Sequence, residues 1–153
     1  MEESTVVAWK KVPSGMYKGS IIDHWVQKNT RTGSIELAFK IKVFENLDNG
    51  YWKDLQKSFN RLLWIPILPS TLEKWVAPIL ALLEVGEIDL KRIDSRHPRA
   101  FRIKGQVHPF RCAHVSYRDS VSERWYFNLD TSNKLSEEEL TELNEIVAPF
   151  LKS

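Results

Sequence analysis

The chain has 153 residues, of which 42% are hydrophobic and 27% charged, and its net charge is +2. This length predicts one domain that buries roughly 70% of its unfolded surface, and the composition is typical of a soluble globular protein. No apolar run approaches the ~18 residues that span a bilayer, and the acidic start lacks the apolar core of a signal peptide. The single cysteine, Cys112, cannot form an internal disulfide, which favours a reducing, cytoplasmic location.

The charges are unevenly distributed along the chain. Residues 91–126 contain nine Lys/Arg and three Asp/Glu, whereas residues 127–153 contain two Lys and six acids. The two segments therefore carry +6 and −4. Such asymmetry is typical of a nucleic-acid surface beside an acidic interaction segment, although two unrelated solvated faces would give the same counts.

The first half of the chain predicts three antiparallel strands. Residues 15–29 form the first, which ends in a turn that contains Gly33. Residues 34–45 form the second, because five apolar side chains alternate onto one face: Ile35, Leu37, Phe39, Ile41 and Val43. The turn-forming cluster at residues 46–50 then predicts that residues 51–59 fold back as a third strand.

A helical insert is predicted next, at about residues 68–86. Ser70 and Glu73 have the spacing of a capping box, and apolar residues follow at helical intervals. Pro78 favours a kink or a second helix that begins there, and Gly86 is a candidate stop.

The second half returns to β structure and ends in a helix. Residues 101–107, 110–117 and 124–129 predict strands, with a turn at 118–122 between the last two. A second capping box begins a C-terminal helix at residues 136–151, whose apolar stripe consists of Leu140, Leu143, Val147, Phe150 and Leu151.

This order of elements predicts a mainly β, α+β fold that occupies residues 1–153 as one domain. Three strands, a helical insert, two or three strands and a helix fit a five-stranded OB-like Greek-key barrel. The insert then lies between strands 3 and 4. A mixed α+β sandwich is the alternative.

The outward face of the second strand carries cations and a ring together. Lys40 and Lys42 share that face with Phe44, and a tight turn would place Trp52 close to Phe44 on the third strand. Single-stranded nucleic acids bind grooves that combine cations for phosphates with rings on which bases stack. OB folds use the face of strands 2 and 3 for this purpose.

The predicted nucleic-acid-binding residues extend this face with cations from the first strand, its turn and the basic segment. Arg102 and Lys104 share one face of the predicted fourth strand, where they would continue a phosphate groove. The full set is Trp25, Lys28, Arg31, Lys40, Lys42, Phe44, Trp52, Lys53, Lys57, Arg102, Lys104 and Arg111.

Structural explanations exist for the same residues. Phe44 and Trp52 could form a cross-strand pair at a hairpin end, and exposed strand lysines also protect sheet edges from aggregation. Trp64 and Trp75, in the predicted insert, are expected in the core.

Two patterns suggest other chemistry, but weakly. His108, Cys112 and His114 alternate onto one strand face, yet no second pair of ligands follows at zinc spacing, so we expect a buried cysteine and hydrogen-bonded histidines. Asp89-Leu-Lys91 is an acid-x-Lys triplet of the kind found in metal-dependent nucleases, and such triplets are common by chance. We expect no enzyme activity, no cofactor and no metal.

Several segments resemble a known group of proteins. They are residues 15–23, the turn at 30–33, the Trp-bearing insert that ends at Gly86, Gly105-Gln-Val107, His114–Tyr117 and Glu123–Trp125. Over about residues 13–128 the chain resembles small phage and prophage proteins found with replication and recombination genes. Those are thought to be OB-fold single-stranded-DNA-binding proteins. This chain departs from many of them because its acidic end is predicted to be a helix rather than a long tail.

The leading functional hypothesis is therefore a non-enzymatic single-stranded-DNA-binding protein, with replication or recombination proteins as candidate partners. The alternative is a protein-interaction module, an adaptor or an antagonist of a host enzyme, in which exposed rings are interface anchors. The stripe of the C-terminal helix leaves two arrangements open, packing on its own barrel or on a second copy in a homodimer.

Overall fold

The computed structural model describes residues 12–68, 70–85, 89–129 and 136–151. Its five strands are β1 (Gly15–Lys28), β2 (Ile35–Asp48), β3 (Tyr51–Pro66), β4 (Val107–Tyr117) and β5 (Ser120–Phe127). A helical insert, α1, consists of a π-helical turn, Leu72–Val76, and an α-helix, Ala77–Leu82. A 3₁₀ turn, Leu90–Ile93, precedes β4, and the C-terminal helix α2 spans Glu137–Leu151.

The strands form one antiparallel sheet in the order β3-β2-β1-β4-β5 that curls into a nearly closed barrel. Contacts between β3 and β5 bring the two edges together, and an ion pair from Arg61 to Glu123 joins them. We call this junction the seam. The order and the position of α1 between β3 and β4 match an OB-like Greek-key barrel, so the predicted fold class is confirmed.

The core lies inside the barrel because side chains alternate along each strand. The inward residues of β2 that the sequence identified are fully buried at Leu37, Phe39, Ile41 and Val43. Phe110 of β4 and Phe127 of β5 pack beside them, with ring centroids 5.0 Å apart.

Strand β1 is central because both of its edges are occupied. One edge pairs with β2, and the first part of the other edge, Gly15 to Ser20, pairs with β4. The second part is covered by a loop: Ile21 N–H donates to Gln106 O at 2.9 Å, and Ser95 N–H donates to His24 O at 2.9 Å. Residues 94–106 thus replace a strand at this edge and leave the outer face of β1, β2 and β3 as one curved surface.

Gly19 permits close packing where β1 changes register against β2. A Cβ at this position would lie 2.9 Å from Lys42 O and 3.5 Å from a ring carbon of Phe110. Since the first of these is backbone, the strands would have to separate. We expect Gly19→Ala to lower the free energy of unfolding by about 1–2 kcal/mol in urea. Ser20→Ala is the matched control, and an unchanged unfolding midpoint for Gly19→Ala would contradict this packing.

Two predicted turn and cap signals are confirmed. Asn49 and Gly50 have φ angles of 52° and 83°, which is the two-residue type I′ geometry between β2 and β3. At the start of α2, Glu139 N–H donates to Ser136 Oγ at 3.2 Å and Ser136 N–H donates to Glu139 Oε1 at 3.1 Å. This is a reciprocal capping box.

Several predicted boundaries are wrong. Strand β2 continues to Asp48 rather than residue 45, and β5 begins at Ser120 rather than residue 124. Strand β3 continues to Pro66, because its alternation persists against β2, so Trp64 belongs to a strand and not to the insert. The insert begins after Thr71 rather than Ser70, and Thr71 Oγ1 donates to Pro66 O at 2.6 Å. Residues 101–106 form a loop instead of a strand. Their backbone N–H groups donate within short turns, to Ile21 O of β1 or, from Phe101, to Arg92 O in the preceding 3₁₀ turn.

The remaining helix predictions have mixed outcomes. A second helical segment does begin near Pro78, which lies in the first turn of Ala77–Leu82. Gly86, and the side chains of Leu143, Val147, Phe150 and Leu151, lie outside the described residues. Within the described part of the chain, no helix has the length and apolar character to cross a membrane.

Candidate nucleic-acid interface

One row of residues crosses the outer face of the three-stranded surface. Trp25 of β1 pairs in register with Ala38 of β2, which pairs in turn with Trp64 of β3. Trp64 is 46% exposed, whereas Ala38 is 2% exposed between the two tryptophan positions. A small residue on β2 therefore lies between two indole side chains that belong to the strands on either side of it.

Two open clefts meet at Trp64. The first, about 360 Å³, extends from Trp64 towards Trp25 and the β1–β2 loop, and we call it the loop cleft; its residues include Lys28, Asn29 and Thr30. The second, about 530 Å³, lies on the other side of β3, and we call it the seam cleft; its residues include Leu62, Val115, Arg124 and Tyr126. Trp64 and Leu62 line both clefts, so they form a ridge between them.

Cations flank this ridge on both sides. Lys40 lies two residues from Ala38 on the same face of β2, and it pairs in register with Asp23 of β1 and Leu62 of β3. Lys42 is the next outward residue of β2. Lys28 lines the loop cleft and Arg124 lines the seam cleft. Each cleft therefore has one cation in its lining.

A stack of planar groups extends the outer face onto β4 and β5. The Arg111 guanidinium lies 4.8 Å from the ring centroid of Tyr126. On the side of α1, Trp75 stacks on Tyr126 with centroids 5.9 Å apart and planes 29° apart. Trp75 is therefore half-buried, as a structural role predicts, but Trp64 is not in the core and that expectation is wrong.

The carboxylates closest to the clefts have partners within the protein. Glu123 accepts from Arg61 Nε and from Trp125 Nε1, each at 2.5 Å. Burial raises the pKa of Glu123, but the hydrogen bonds from Trp125 and Arg61 outweigh it and hold the pKa below its ordinary value. At neutral pH this charge is compensated locally at the seam.

Asp23 is compensated in the same way at the edge of the outer face. Its Oδ1 accepts from Ser95 Oγ at 2.7 Å and lies 3.9 Å from Lys104 Nζ. The hydrogen bond from Ser95 is the main cause of a pKa below the ordinary value, although partial burial opposes it. Lys104 therefore neutralises Asp23 and is not simply available for a phosphate.

The ring and lysines at the far end of the β2–β3 hairpin form a separate group. Trp52 pairs with Leu47, so the predicted proximity of Trp52 to Phe44 through a directly opposed position is wrong. The cause is the position of the turn: β2 continues to Asp48 and only Asn49 and Gly50 form the turn, which pairs Asp48 with Tyr51 and Leu47 with Trp52. Leu47, the β2 partner of Trp52, lies nine positions from Ala38 along the same strand. At the rise of a β-strand this separation is about 30 Å.

The cations of this hairpin end are partly engaged with local groups. Lys18 Nζ lies 5.0 Å from the Trp52 ring centroid and 3.9 Å from a Glu45 oxygen. Lys53 Nζ lies 3.3 Å from Asp48 Oδ2, and Lys57 is exposed. The predicted set is thus divided between the row at Trp25 and this hairpin end.

Two further cations from the prediction lie in loops. Arg31 is exposed in the β1–β2 turn, where its N–H donates to Asn29 Oδ1 at 3.0 Å. Arg102 is exposed in the loop before β4, so its placement on a strand face was wrong. The flanking Ile103 is buried, which explains the alternation that suggested a strand.

Sequence reasoning missed Leu62, Trp64, Arg124 and Tyr126 as parts of the interface. A signal was present in the sequence: Leu62 and Trp64 alternate with the buried Leu63 and Ile65. Assigning that alternation to a longer third strand would have placed Trp64 outward.

The weaker patterns have structural roles. Cys112 is buried, and burial raises the pKa of its thiol to about 11. His108 bonds to Gln106 Oε1 at 2.7 Å, His114 bonds to Val12 O at 2.6 Å, and Asp89 accepts from Lys91 N–H at 3.1 Å. Across residues 12–68, 70–85, 89–129 and 136–151, no three His, Cys, Asp or Glu residues are grouped for metal binding.

Comparison with known proteins does not assign the chain to a family. No protein-family model matches the chain, and no curated protein matches it in sequence.

Proposed function

We propose that this protein binds single-stranded DNA without catalysis, along a path that runs from the loop cleft, over the Leu62–Trp64 ridge, into the seam cleft. The observation that carries the proposal is the exposed Trp64 at the junction of two clefts, one lined by Lys28 and the other by Arg124. The path crosses the strands 2–3 face, which OB folds use for oligonucleotides.

The ring part of the site fits bases. A base stacked on an exposed aromatic side chain contributes about 1–3 kcal/mol, and this contact tolerates every base because each has a π-face. Trp25 and Trp64 lie on either side of Ala38 and line the same open cleft, so a flat group in this cleft can contact an indole ring. Tyr126 offers a third ring beyond the seam.

The cationic part of the site fits a phosphate backbone. Lys28, Lys40, Lys42 and Arg124 lie on or beside the path, and Arg111 is adjacent to Tyr126. Each phosphate neutralised on a single strand contributes about −0.7 to the slope of log K against log salt. Four such contacts predict a slope of about −3.

The test is a fluorescence titration of the full chain with (dT)15 at 50 and 300 mM NaCl. We expect quenching of tryptophan fluorescence on binding and a steep loss of affinity with salt. A double-stranded oligonucleotide of the same length is the control and should bind more weakly. Absence of quenching and binding at 50 mM NaCl would contradict the proposal.

A second candidate function follows from the apolar part of the seam cleft. Leu62, Trp64 and Val115 are each more than one-third exposed and border the same cleft. Such a strip also suits an apolar anchor of a protein partner, for example a replication or recombination protein. Pull-downs with and without nuclease distinguish the two functions, since a partner retained after nuclease treatment favours protein binding.

A further inference from the structure

The loop cleft contains a buried carboxylate in a lining that also includes Lys28 and two tryptophans. Glu36 faces outward on β2 and lines the cleft, yet it is 3% exposed. The ion pairs of the described residues do not include Glu36. A buried carboxylate without a cation is unfavourable unless hydrogen bonds satisfy it.

A chain of hydrogen bonds fixes this carboxylate beside the tryptophan row. Trp25 Nε1 donates to Gln27 Oε1 at 2.6 Å, and Gln27 Nε2 donates to Glu36 Oε1 at 2.7 Å. The amide of Gln27 is thereby held in one orientation. An ionised carboxylate accepts about four hydrogen bonds, so Glu36 retains acceptor capacity beyond the bond from Gln27.

We infer that the loop cleft binds a guanine base, which stacks against the tryptophan row while Glu36 accepts its N–H groups. Guanine has two adjacent donors, N1–H and N2–H₂, on its Watson–Crick edge, and a carboxylate has two oxygens to match them. Thymine has one donor between two carbonyl oxygens, which the carboxylate repels. This inference depends on the proposed function and adds a base preference to it.

The first test varies the ligand and leaves the protein unchanged. Affinities for (dT)15, d(TTG)5 and d(TTI)5, where I is hypoxanthine, are measured in lithium buffer, which disfavours quadruplexes. Discrimination by a matched bidentate contact predicts that d(TTG)5 binds about 10-fold more tightly than (dT)15. The hypoxanthine oligonucleotide lacks the N2 amino group and should have an intermediate affinity.

The second test removes the charge of Glu36. Glu36→Gln retains an oxygen that can accept from Gln27, and its unfolding midpoint verifies the fold. We expect this variant to lose the preference for d(TTG)5 over (dT)15. Glu45→Gln, at the far hairpin end, is the matched control and should retain the preference.

The outcomes separate this inference from the function on which it depends. Salt-sensitive binding of (dT)15 and d(TTG)5 with equal affinity would overturn the guanine site and leave single-strand binding intact. A preference that persists in Glu36→Gln would overturn the role of Glu36. Failure of all three oligonucleotides to bind would overturn the proposed function and the guanine site together.

Discussion

Replacement of Trp64 by alanine is expected to weaken binding of (dT)15 by about 1–3 kcal/mol, which is roughly 5- to 150-fold in Kd. The reason is its position: Trp64 is exposed on the ridge between the two clefts, so a strand on the proposed path must pass over it. The slope of log K against log salt should be nearly the same in Trp64→Ala as in wild type, because the ring contacts bases and not phosphates. Anisotropy of a labelled oligonucleotide measures both quantities.

The matched control for this experiment is Trp52→Ala. Trp52 has a similar exposure, 37%, but lies at the end of the β2–β3 hairpin, away from the clefts. We expect a smaller change in Kd for this variant, and we expect Trp64→Phe to retain most of the affinity since it keeps a stacking ring. If Trp52→Ala weakened binding more than Trp64→Ala, the proposed path would be wrong.

Glu123→Ala is expected to have the largest effect on stability, a loss of about 3 kcal/mol in the free energy of unfolding. The Glu123 side chain is mostly buried and connects three groups: Arg61 of β3, Trp125 of β5 and the N–H of Val12. Its removal leaves the Arg61 charge and the Trp125 indole N–H without this acceptor at the seam. Urea unfolding measures the loss.

Lys53→Ala is the control for Glu123→Ala, because it removes an ion pair in which both side chains are about half exposed. Exposed pairs contribute about 0–1 kcal/mol, so this variant should unfold near the wild-type midpoint. If Lys53→Ala and Glu123→Ala lowered the free energy of unfolding equally, the ion pair of Arg61 and Glu123 would have no special role at the seam.

The ion pair between Arg61 and Glu123 also predicts how stability depends on pH. The pKa of Glu123 in the folded protein lies below its ordinary value of 4.5, so its stabilisation is fully present above pH 4.5. The stabilisation is lost as the pH falls through the lowered pKa, because the unfolded chain then binds the proton more strongly. Glu123→Gln should therefore show a weaker loss of stability between pH 5 and pH 3 than wild type.

Much of the fold could be predicted from the sequence because local and tertiary signals agree in those segments. The alternation in β2, the Asn49-Gly50 turn and the capping box at Ser136 each require only neighbours along the chain. The prediction failed where long-range pairing decides the structure. Residues 101–106 alternate like a strand, but they serve as a cover for the free edge of β1.

The candidate site was harder to predict than the fold. The sequence predicted an outer face that combines cations and rings, and it placed Lys40 and Lys42 there because they alternate with the buried residues of β2. Trp64 did not, since its exposure depends on how far β3 extends along β2. The separation of Trp52 from the row at Trp25 depends on how far β2 extends before the turn, since a turn confined to Asn49 and Gly50 pairs Trp52 with Leu47.

The most direct test of the proposed site is photocrosslinking of the full chain to an oligonucleotide that contains 5-iodouracil, followed by identification of the modified peptides by mass spectrometry. The proposal predicts salt-sensitive crosslinks at Trp25, Trp64 or Tyr126, which line the two clefts. Crosslinks confined to Tyr51 and Trp52 at the hairpin end would contradict it.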